Sequence, residues 1–100
     1  MNEGSDTVVG RWITDPEDVE SVKLYGRVTL VFSDGGNLRY IIHSKDKDEI
    51  INLTYRIVGD TLITQQPSSP RQEESRFTVM MDGRLVLEHS GVRSRYIRSD

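Results

Sequence analysis

The chain of 100 residues contains no cysteine. A disulfide framework, thiolate metal sites and thiol chemistry are therefore excluded together. Basic charge is also in deficit. Thirteen Lys and Arg stand against 16 Asp and Glu, a formal net charge of −3, which argues against a dedicated nucleic-acid-binding protein. No apolar run approaches the roughly 18 residues of a membrane-spanning helix. The opening Met-Asn-Glu-Gly-Ser-Asp has neither the basic region nor the apolar core of a signal peptide, so the expectation is a cytoplasmic protein with no membrane and no nucleic-acid partner. Gly-x-Ser-x-Gly, a phosphate loop and His-Glu-x-x-His are all missing. The expectation is a protein that is not an enzyme and needs no metal and no cofactor.

The length bounds the chain to one domain, since an independent core needs roughly 50–200 residues. Residues 1–7 are polar and read as a flexible N-terminus, with residues 8–98 as a single β-barrel domain. Val8–Thr14 reads as a first strand, rich in β-branched and aromatic side chains. Asp15-Pro16-Glu17-Asp18 then has the form of a helix start. Asp15 can cap, Pro16 suits the first helical position, and the two acids suit the positive end of the helix dipole. Only about two turns fit before Leu24, which predicts a short helix or 3₁₀ turn.

From Tyr25 onward the period is two. Val28, Leu30 and Phe32 share one face. Asp34-Gly35-Gly36-Asn37 turns the chain, and Leu38, Tyr40 and Ile42 carry the same face back. Ile51, Leu53, Tyr55 and Ile57 repeat the pattern before Gly59-Asp60 turns into Thr61–Gln65. Pro67 and Pro70 bar a central strand across their segment. Glu74–Met81, the turn pair Asp82-Gly83, Arg84–Glu88, the turn Ser90-Gly91 and Val92–Arg98 complete the series. Leu38, Leu62 and Leu85 each open the second strand of a hairpin, at intervals of 24 and 23 residues.

Short connections make sequential neighbours pair. The fold class expected is therefore all-β: an antiparallel up-and-down meander of about eight strands forming a small barrel, closed or incomplete, with one short helix after the first strand. An eight-stranded barrel is just wide enough to be filled by side chains or to hold one small ligand. Phe32, Tyr40, Tyr55, Phe77 and Tyr96 are large inward candidates. If most of them point inward, little room remains.

The last strand is locally basic, with Arg93, Arg95 and Arg98, whereas the first twenty residues carry six acids against Arg11 alone. Arg93 and Arg95 share a face. They could grip a phosphate, or pair with the acidic N-terminal segment that closure would bring beside them; closure predicts the second without any ligand. His43 precedes Asp46, Asp48 and Glu49, but Lys45 and Lys47 oppose a cation there, so a solvated loop is favoured over a metal site. Glu73-Glu74 and Glu88-His89 are adjacent pairs whose members point to opposite faces of a strand.

Gly10-Arg11-Trp12 on the first strand of such a meander resembles the opening of the lipocalin and calycin barrels. The stretch Phe32-Ser33-Asp34-Gly35-Gly36-Asn37-Leu38-Arg39-Tyr40 is similar to a hairpin of small bacterial lipocalin-like domains. The resemblance implies that Gly10 and Trp12 close one barrel end and that an arginine of the last strand lies over the indole, with Arg93 and Arg95 as the designated candidates and Arg98 a third. Such roles are structural. The chain departs from the long secreted members in length and in lacking cysteines.

Two functions follow as expectations. One is a barrel binding a small apolar or amphipathic ligand, recognised by Tyr40, Tyr55, Arg71, Phe77 and Tyr96, with the Pro67–Glu74 loop at the rim. The alternative is a non-enzymatic interaction module or homodimer with a filled interior, whose outer patches would use Val31, Ile41, Ile63, Val86 and Ile97.

Overall fold

A computed structural model describes residues 8–67 and 72–99. The strands are β1 (Gly10–Thr14), β2 (Arg27–Phe32), β3 (Asn37–His43), β4 (Glu49–Val58), β5 (Thr61–Gln65), β6 (Gln72–Val79), β7 (Leu85–His89) and β8 (Val92–Arg98), with one helix, α1 (Val19–Tyr25), between β1 and β2. Every strand pairs antiparallel with its neighbour in sequence, and β1 pairs with β8, so the sheet is a closed barrel. The seam register sets Trp12 opposite Arg98, Ile13 opposite Ile97 and Thr14 opposite Tyr96.

Period-two patterning decides which side chains face inward. Trp12, Val28, Leu30, Phe32, Leu38, Tyr55, Ile57, Leu62, Leu85 and Tyr96 form one buried cluster, joined by Val8. Most of its bulk lies toward the end that carries the β2–β3, β4–β5 and β6–β7 turns. There Phe32 and Tyr55 pack edge to face with ring centroids 5.0 Å apart, and the Tyr55 hydroxyl donates to the Ser33 carbonyl at 2.5 Å. Trp12 has no exposed surface. Its indole N–H donates to the Val8 carbonyl at 2.8 Å, and the Arg98 guanidinium lies 4.2 Å from its ring centroid. This is the closed end.

Two glycines are required by geometry. Gly10 sits in β1 with φ +130, a conformation that L side chains avoid. Gly36 has φ +87, and a Cβ there would lie 3.5 Å from the Tyr55 carbonyl oxygen; its own carbonyl accepts the Tyr55 N–H at 2.9 Å.

Several boundaries differ from the sequence reading. β1 begins at Gly10, and β6 begins at Gln72, two residues earlier than expected. The helix starts three positions later than Asp15 suggests, because Asp18 is its N-cap and accepts from Ser21 N–H. Asp15 instead accepts the Glu17 N–H at 2.9 Å, a local turn that competes with capping. The expected flexible segment 1–7 lies outside the described residues.

Replacing Trp12 with Ala is expected to cost about 3–5 kcal/mol, the range for deleting a large buried aromatic side chain. Val58→Ala, at a position 57% exposed on β4, should stay within about 0.5 kcal/mol. Urea unfolding midpoints of the two variants against the parent check both values.

Candidate functional site

The opposite end of the barrel is hollow. A cavity of about 530 Å³ opens there, at the end carrying α1, the β3–β4 and β5–β6 connections and the β7–β8 turn. Its inner wall is apolar: Leu30, Leu38, Leu62 and the ring of Tyr96 are buried side chains that form the floor, with Ile51, Leu53 and Leu87 on the walls. Its rim is polar. Gln66 and Glu73 flank the β5–β6 connection, and His89 ends β7.

The barrel's geometry explains the hollow. Trp12, Phe32 and Tyr55 fill the closed end, whereas the mouth half is lined by medium aliphatics and small polar residues such as Thr64, Ser75 and Ser94 around Tyr40 and Tyr96. Short side chains facing one another across an eight-stranded barrel do not meet in the middle.

The helix α1 is anchored beside this end. Ser21 hydroxyl and Ser94 hydroxyl lie 3.1 Å apart, and the Ser21 hydroxyl donates to Asp18 at 2.7 Å. Asp18 also accepts the Arg95 N–H at 2.8 Å. Burial alone would push the Asp18 carboxyl up, but hydrogen bonds from Ser21 and the Arg95 backbone, with the Arg95 charge, together hold it below its ordinary value.

On the outer wall nearby, Asp15 is 2% exposed. It receives Arg95 Nε at 2.7 Å and Arg84 Nε at 3.1 Å, and Arg84 reaches on to Glu17 and Asp82. The Arg95 pairing is the one closure demands of the acidic N-terminal segment.

Of the residues expected to bind a ligand, Tyr40 and Tyr96 line the cavity. Tyr55 belongs to the closed-end core, and Phe77 packs against that core, outside the cavity lining. Both sit on inward positions, but the tilted strands carry them past the cavity floor. Arg71 and residues 68–70 of the loop lie outside the described residues. The arginine over Trp12 is Arg98, not Arg93 or Arg95. Inward and outward positions alternate along β8, so Trp12, which faces inward, meets the guanidinium of its register partner Arg98. Arg95 faces out to Asp15, and Arg93 is exposed.

The sequence reading missed Glu73 and His89 as a joint feature. Each was weighed only against its immediate chain neighbour. Carried through β6, the same period-two count puts Glu73, Ser75, Phe77 and Val79 on the inner face; in β7 it gives Leu85, Leu87 and His89. The register Arg76↔Glu88 then places His89 diagonally across from Glu73. His89 Nδ1 lies 2.9 Å from the Glu74 carbonyl oxygen. A carbonyl only accepts, so Nδ1 carries the proton, and Nε2 is the acceptor of the neutral ring.

A second constellation sits on the outer wall. Thr29 Oγ1 lies 2.6 Å from His43 Nε2, and His43 Nδ1 lies 3.1 Å from Asp48. The order hydroxyl–imidazole–carboxylate is that of an acyl-transfer relay. Thr29, however, is 2% exposed, which closes its hydroxyl to substrate. The chain of bonds fastens the β3–β4 connection to the wall. Among the described residues no three His, Asp or Glu side chains gather closely enough to hold a metal ion, and no helix is long and apolar enough to cross a membrane.

No family model, no curated protein and no solved structure matches this chain.

The lowered Asp18 carboxyl has a pH consequence. Its stabilising contribution is present above the unfolded-state value near 3.8 and is lost as pH falls through the lower folded-state value. Asp18→Asn should therefore be less stable than the parent at pH 6, and the gap should narrow as pH falls below about 4. Urea midpoints of the two proteins across that range check the convergence.

Proposed function

We propose that this protein is a lipocalin-like barrel that binds a small amphipathic molecule, apolar end inward, in the open half of its interior. The cavity carries this reading. Its volume of about 530 Å³ falls within the roughly 300–1,000 Å³ typical of small-molecule sites. Leu30, Leu38, Leu53 and Leu62 give it an apolar floor and wall, and Gln66, Glu73 and His89 a polar rim. That is the usual division between a burial surface and a few orienting groups.

The lipocalin-like assignment is supported by the eight-stranded closed meander, by the positive φ of Gly10 two residues before Trp12, and by the Arg98 guanidinium over the indole. Gly10, Trp12 and Arg98 are not among the residues lining the cavity. They hold one end shut so that the other can be spared from packing.

The neutral fluorophore N-phenylnaphthylamine tests the reading. It is expected to brighten on binding the parent protein. Ser75→Trp, which places an indole at a cavity-lining position, should weaken that binding at least tenfold, about 1.4 kcal/mol. Thr78→Trp, on an exposed position of the same strand, should leave it unchanged. Equal binding by all three proteins would place the dye elsewhere and refute the cavity as the site.

A further inference from the structure

Among the described residues, the charge at the cavity mouth is one-sided. Glu73 is the only carboxylate among the described lining residues, and no Lys or Arg is among them. Within the described residues Glu73 takes part in no ion pair, whereas Asp15, Glu17, Asp48, Asp60 and Asp82 are each paired. The other rim group with a titratable ring, His89, has its Nδ1 proton committed to the Glu74 carbonyl, which leaves Nε2 as the ring atom turned to a ligand. Gln66 and the Thr64 hydroxyl accompany them on the same side. Tyr40 and Tyr96 also line the cavity, and an aromatic face attracts a cation.

From this arrangement we infer that the ligand's polar end is a protonated amine, held by the Glu73 carboxylate at the mouth while its hydrocarbon end lies on the leucine floor. An ammonium group supplies donors and positive charge where the rim offers an anion and acceptors. A carboxylate headgroup meets the opposite: like charge at Glu73 and no cation among the described lining residues. The inference rests on the proposed cavity function and narrows it to a chemical class.

Three probes with one tail separate the two claims: octylamine, octanol and octanoate at pH 7, titrated calorimetrically into the parent, Glu73→Gln and Glu74→Gln. Glu74 neighbours Glu73 but is outward and exposed, so its variant carries the same change in net charge away from the cavity. The parent is expected to bind octylamine at least tenfold more tightly than octanoate, with octanol between them. Glu73→Gln should bring the three affinities within about threefold of one another, and Glu74→Gln should keep the parent's order. If all three probes bind the parent equally, or octanoate binds best, the amine assignment is overturned and the cavity reading stands. Loss of discrimination in Glu74→Gln as fully as in Glu73→Gln overturns it too, because net charge then explains the preference. If no probe binds the parent, both readings fall.

Discussion

The seam between β1 and β8 joins groups eighty positions apart in the chain, as in the Arg95–Asp15 contact. Loop closure over that span costs on the order of 4 kcal/mol on chain length alone, beyond a constant term. Only a few register pairs are available to repay it. The seam is therefore dense in specific interactions. The Arg98 guanidinium lies on the Trp12 ring, Ser99 N–H donates to the Arg11 carbonyl, and Asp15 N–H donates to the Arg95 carbonyl. The buried Asp15 carboxylate takes Arg95 and Arg84 together. A buried ion pair adds little net stability over an apolar substitute, but a buried carboxylate left with no cation is costly. Its effect is to penalise every arrangement in which β8 and the β6–β7 turn do not meet β1.

Closure at the seam is what permits a hollow. An open sheet of this length would have to bury its whole apolar face against something, whereas a closed barrel with one well-packed end can leave the other end under-filled. The aromatic residues show the division. Trp12, Phe32 and Tyr55 crowd the closed end, while the mouth half is lined by leucines, serines and threonine around two tyrosines. Trp12, Phe32 and Tyr55 hold the closed end without lining the cavity, whereas Leu30, Leu38, Leu62 and Tyr96 belong both to the core cluster and to the cavity floor.

Most of the architecture was legible in the amino-acid pattern. Runs such as Val28-Leu30-Phe32 and Leu38-Tyr40-Ile42 define faces by alternation, and turns such as Asp34-Gly35-Gly36-Asn37 are too short for anything but hairpins. The helix start was misplaced because Asp15 and Asp18 are equally good caps locally; Arg95 and Arg84, distant in sequence, draw Asp15 into the seam. The split among the large inward residues was not legible either. Alternation tells in from out, but position along the barrel axis depends on strand tilt and stagger, which no single strand encodes. That is why Tyr40 and Tyr96 reach the cavity and Tyr55 and Phe77 do not. Arg98 over Trp12, and Glu73 across from His89, required the register between strands.

The central claim is a barrel packed at one end and ligand-accessible at the other. Solution NMR of the parent protein titrated with octylamine tests it most directly. The account predicts that methyl resonances of Leu38, Leu53, Leu62 and Leu87 shift with a common saturation curve, while the Trp12 indole N–H and the Leu85 methyls stay in place. Shifts confined to the outer wall, at Ile41, Ile50 and Ile97, with the cavity leucines unmoved, would contradict it.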